Sequence, residues 1–71
     1  MKQFKINPAY IFFVVNKKTW TIVSGWEEHS DATDSMSEFN EVKPYTYTVW
    51  LTRQCKRHNR NPFDSANWGN E

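Results

Sequence analysis

The sequence predicts a small α+β domain. Its chain order is β-β-α-β, folded as a three-stranded antiparallel sheet in the spatial order 2-1-3. One helix lies on a face of the sheet, and one or two short helices follow. Three observations carry this reading. The stretch Tyr10–Val15, YIFFVV, is apolar on both of its alternating faces, as a strand covered from both sides must be. Residues Tyr45–Thr52 alternate, with Tyr45, Tyr47, Val49 and Leu51 on one face and Thr46, Thr48, Trp50 and Thr52 on the other. Between these strands, Ala32, Met36 and Phe39 recur at i, i+4 and i+7, one stripe of an amphipathic helix.

Each element follows from its local chemistry. Tyr10–Val15 is β-branched and aromatic throughout, a strand composition. Asn16–Thr19 is short and polar and reads as a hairpin turn, without the Asn-Gly signature. Trp20–Ser24 is the second strand, ended or bulged by Gly25. Ser30 is placed to cap the helix, and Asp31 and Asp34 fall in its first turn, where the macrodipole favours negative charge. Val42 extends the apolar stripe, and Pro44 ends the helix, because the residue before a proline avoids the helical region. Arg53–His58 reads as a short basic helix that carries Cys55 inward. Asn61-Pro62-Phe63-Asp64 reads as a second helix start, with Asn61 as cap and Pro62 in the first helical position.

If the first strand is central, the helix crosses over to one face of the sheet, and Trp50 projects from the other. The tail, residues 61–71, is expected to cover that second face through Phe63 and Trp68. Residues 1–7 form either an edge segment or a free end. At 71 residues the chain is a single domain, 1–71. A domain of this size buries only about 60% of the surface its unfolded chain exposes.

Composition narrows the function classes. Aromatic residues make up 17% of the chain, and a fold is expected from that alone. The one cysteine forbids an internal disulfide and suits a reducing cytoplasm. The apolar run at 10–15 is too short for a secretory core or for the roughly 18 to 20 residues of a membrane span. Net charge is only +1, but it is unevenly laid out. Every charged residue from Trp20 to Glu41 is an acid, and every one from Val42 to Arg60 is a base.

The chemical motifs are weak. Glu28, His29 and Asp31 crowd together, yet they spread around a turn and lack the alternating acids and central glycine of a calcium loop. Helix entry explains them better than a metal does. Cys55 and His58 stand i, i+3, but a closed zinc site needs two further ligands of their kind, and only His29 remains. A buried thiol is the better reading of Cys55. With two glycines in all, the glycine-rich phosphate loops are excluded. No enzyme, cofactor or metal is expected.

Asn16-Lys-Lys, Ile22-Val-Ser-Gly-Trp-Glu, Asp31-Ala with Asp34, a tyrosine-rich strand, and Asn61-Pro-Phe-Asp64 with Asn67-Trp68 make a pattern. It resembles a group of very short uncharacterised phage and bacterial proteins. Their scheme is a strand ending SG(W/F)E, a helix opening DAxD and a tail like DPxDxxxW. The resemblance covers roughly residues 10 to 68. It implies a small α+β fold and a phage or mobile-element setting, and it carries over no catalytic residue. Gln54-Cys-Lys-Arg-His58 departs from the group, which argues against a role for Cys55 or His58.

The expected function is therefore binding of another protein, from host or phage, by a monomer or homodimer. Trp50 and Trp68 are the candidate anchors, because Trp, Tyr and Arg dominate binding hot spots. The alternative is nucleic-acid binding. Arg53, Lys56, Arg57 and Arg60 would then hold phosphates while sheet aromatics stack on bases.

Overall fold

A computed structural model describes residues 6–69. Most of the stretch 1–7, and residues 70 and 71 of the tail, lie outside the described residues. The first strand, β1 (Phe12–Asn16), pairs antiparallel with β2 (Thr21–Trp26) on one side and β3 (Tyr47–Leu51) on the other. The sheet order is β2-β1-β3, so β1 is central, as its two apolar faces predict. Phe13, Val14 and Val15 are fully buried. The strand begins two residues later than the composition suggests. Asn7 draws the chain into a turn there, its Oδ1 accepting from the Ala9 N–H and its carbonyl from the Tyr10 N–H.

The helix α1 (His29–Val42) covers one face. Val14, Val23 and Tyr47 form the core there, with Met36 and Phe39 packed on them, and Ala32 is buried. The sheet bulges, but not at Gly25. Val14 faces Ser24 and Val15 faces Ile22, so Val23 is the inserted residue. A bulge turns two neighbouring residues toward one side. Val23 accordingly joins the core under α1, and Ser24 Oγ lies 3.1 Å from Ser35 Oγ of the helix. Gly25 stays within β2, opposite Phe13.

The ends of α1 differ from the sequence expectation. The N-cap is Glu28, not Ser30, and no side chain caps the helix. The apolar stripe stops at Phe39, and Val42 is 80% exposed. Asn40, on the polar side of the helical pattern, is turned to structural use. Its Oδ1 accepts from the N–H groups of Thr46 and Tyr47, and its Nδ2 donates to the Tyr47 carbonyl. One amide thus fixes where the crossover enters β3. It also explains why β3 begins at Tyr47: Tyr45 has φ +60° and Thr46 is held by the helix.

On the other face, Phe13, Val15, Ile22, Trp50 and Cys55 form a second core, with Tyr10 and Trp68 packed against it. The helix α2 (Thr52–Arg57) brings Cys55 to this core and starts one residue earlier than expected. Gln54 Oε1 accepts the Leu51 N–H at its start. Asn61 and Pro62 do not open a helix. The short 3₁₀ turn is Ser65–Asn67, capped by Asp64, whose Oδ1 accepts from the Ala66 N–H. Pro62 is instead fully buried, and its carbonyl accepts the Trp68 indole N–H at 2.8 Å. Phe63 and Trp68 both meet Phe13 edge-on. The tail then runs parallel to β2, with the Gly69 N–H donating to the Ile22 carbonyl. Gly25 must be glycine, because a Cβ there would collide with the Tyr10 ring and touch Trp68.

Asn40→Ala leaves the buried Thr46 N–H without its acceptor and should cost about 1–3 kcal/mol. Ser37→Ala, on the exposed side of the same helix, should stay within about 0.5 kcal/mol. Urea unfolding of the two variants makes the comparison.

Candidate binding surfaces

The two faces of the sheet carry opposite charge. Asp31, Asp34, Glu38 and Glu41 are exposed on α1, while Arg53, Lys56 and Arg57 are exposed on α2 across the sheet. The segmental charge of the sequence thus becomes a division between surfaces.

On the acidic side, a groove of about 640 Å³ runs between α1 and β2. Val23, Trp26 and Phe39 line it with apolar surface, and Asp31, Asp34 and Glu38 supply its charge. The exposed Val42 also lines it. Its internal polar groups are satisfied, since the Trp26 indole N–H donates to Ser24 Oγ at 2.9 Å and Ser24 in turn meets Ser35. What the groove offers a ligand is therefore apolar contact and negative charge.

On the basic side, the three tryptophans Trp20, Trp50 and Trp68 divide unequally. Trp50 is only 8% exposed and belongs to the core, and Trp68 is half-buried against Phe13. The exposed tryptophan is Trp20, at 39%. The ring planes of Trp20, Trp50 and His58 lie within 20° of one another, with centroids 5.1, 5.3 and 4.4 Å apart. Trp50 is the buried member, so the open surface of this stack belongs to Trp20 and His58.

The hairpin turn sets this stack. Asn16 Oδ1 accepts from the Lys18 and Thr19 N–H groups, an Asx turn, and the Trp20 N–H donates to the Asn16 carbonyl. The chain then leaves through Trp20 at φ +58°. That left-handed conformation costs a residue with a side chain about 1–2 kcal/mol. Stacking on Trp50 and His58, and a bond from Arg60 Nε to the Trp20 carbonyl at 3.2 Å, offset it. Arg60 is thus bound into the turn, while Arg53, Lys56 and Arg57 remain on the helix surface.

The sequence carried little sign of Trp20's role. Its place next to a polar turn was visible, but its φ was not. Tyr45 is the parallel case: φ +60°, 90% exposed, at the start of the loop into β3.

Packing engages the cysteine and both histidines. Cys55 is buried in the core, and that burial pushes its thiol up to about 12 from the usual 9.0. His58 is engaged in the ring stack, and His29 meets the Phe12 ring edge-on at 5.2 Å. Among the described residues, no three His, Cys, Asp or Glu stand together to hold a metal ion. No helix among them is long and apolar enough to cross a membrane. Comparison with protein-family models, curated proteins and solved structures gives no match.

Cys55 should resist Ellman's reagent in the native protein at pH 8 and react at once in denaturant. With the folded thiol raised to about 12, the unfolded chain ionises first. The thiol's contribution to stability is whole below pH 9 and is lost as pH rises toward 12. Cys55→Val should remove that part of the alkaline decline in a urea-denaturation series.

Proposed function

We propose that this chain is a non-enzymatic binding protein that engages another protein through the groove between α1 and β2. The groove itself carries the reading: an apolar lining bordered by three carboxylates on a surface not otherwise covered by the described chain. Its fitting partner is a segment of a protein that alternates apolar side chains with Lys or Arg. Apolar contact supplies affinity, and the carboxylates set orientation and on-rate. Trp26, Phe39 and Val42 take the anchoring place that sequence reasoning gave to Trp50 and Trp68.

The pattern SGWE, DAxD and the Trp-bearing tail favour a phage or mobile-element accessory protein acting on a host or phage partner. A lone buried thiol fits a cytoplasmic place of action.

Amide and indole NMR signals should report binding of a basic amphipathic peptide. The expected result is shifts confined to Val23, Trp26, Asp34, Glu38 and Phe39, abolished by Val42→Lys, which removes apolar contact and repels a basic peptide. That substitution sits at an exposed position and should leave the melting temperature nearly unchanged. No shift with any basic peptide, or shifts insensitive to Val42→Lys, would remove the reading.

A further inference from the structure

The strained aromatics gather at one end of the sheet. β1 ends at Asn16, and both β2 and β3 begin beside it, Asn16 facing Thr21 and Tyr47. The turn 17–20 and the loop 43–46 are therefore neighbours, joined by the Lys17 N–H donating to the Thr46 carbonyl at 2.8 Å. Trp20 stands at the entrance to one edge strand and Tyr45 near the entrance to the other. Those strands are two spacings apart, about 10 Å. Between the two loops lies a depression of about 550 Å³ lined by Asn16, Lys18, Thr19, Lys43, Pro44 and Thr46.

Three features mark this end. Trp20 and Tyr45 are both bulky, both left-handed and both exposed. Such conformations persist only where the surroundings impose them, and they gather at functional sites. The ammonium groups of Lys17 and Lys18 make no hydrogen bond or ion pair with described residues. The exposed acids of α1 project on the far side of the sheet from the Trp20, Trp50 and His58 stack.

We propose that this end of the sheet binds single-stranded nucleic acid, with bases stacking on Trp20 and Tyr45 and the intervening phosphates held over the depression by Lys17 and Lys18. Stacking platforms beside a cationic track are the common means of holding single strands without reading sequence. A duplex hides its base faces and cannot use them. The site is separate from the acidic groove, so it stands or falls independently of the protein-binding reading. It also moves the nucleic-acid surface away from Arg53, Lys56 and Arg57, which line α2, toward the turn that Arg60 braces.

The test is fluorescence anisotropy with a labelled oligothymidylate, read together with quenching of the protein's own tryptophan emission. Saturable binding at low salt is expected, with quenching, and with clear preference over a duplex of equal length. Trp20→Asn and Tyr45→Asn keep the left-handed backbone that asparagine tolerates. Trp20→Asn should weaken binding about ten-fold or more, and Tyr45→Asn several-fold. Changing Lys17 and Lys18 to Ala should lower the salt slope by roughly 0.7 for each phosphate no longer neutralised. Tyr45 is 90% exposed, so its variant keeps the test decisive even if Trp20→Asn unfolds. No binding at low salt would overturn the proposal. So would Tyr45→Asn and Trp20→Asn proteins that bind like the parent, or a duplex that binds equally well, since either would mean attraction of any polyanion by charge alone.

Discussion

The double burial of β1 is the constraint on which the rest of the structure depends. A strand with Phe13, Val14 and Val15 all fully buried needs a cover on each side. In 71 residues there is room for only two covers, α1 on one face and α2 with the tail on the other. The chain must therefore cross the sheet's layers twice, and each crossing leaves a mark. Asn40 fixes the first, where α1 hands over to β3. Gln54 fixes the second, at the sharp change from β3 into α2.

Both covers are thin, and the chain thickens them with aromatic rings. Phe13 receives Tyr10, Phe63 and Trp68 edge-on, so one side chain of β1 organises most of the tail. This is how a chain with a marginal apolar content fills a second core. The tail also protects an edge: Gly69 takes the Ile22 carbonyl of β2, which an open edge strand would offer to another chain. Charge follows the layers. Because α1 and α2 lie on opposite faces, the acids and bases that the sequence separates by position end up separated in space.

Much of the fold was legible in the residues. Two apolar faces at 10–15 placed β1 at the centre, and the stripe Ala32, Met36, Phe39 placed α1. Boundaries were less so, for identifiable reasons. Tyr10 has a strand composition but is drawn into the Asn7 turn. Ser30 has a good capping side chain, yet the N-cap is Glu28 and no side chain caps the helix. Asn61-Pro62 looks like a helix start, but burial of Pro62 against the sheet overrides it. The surfaces were harder to foresee. Alternation put Trp50 on the second face, and nothing in the sequence showed that α2 and the hairpin turn would close over it. Trp20 looked like the first residue of a strand. Only the left-handed backbone, set by Asn16 and held by Arg60, makes it a surface feature.

If β1 holds both faces together, its amides should open only when the whole molecule does. Native-state hydrogen exchange measures this directly. The amides of Phe13, Val14 and Val15 should be the slowest, with an opening free energy equal to the global value from urea unfolding. Those of α1 and of the 3₁₀ turn should open at lower cost. Exchange of the β1 amides that is faster than that of α1 would contradict the account, because one face would then be stable without the strand assigned to both.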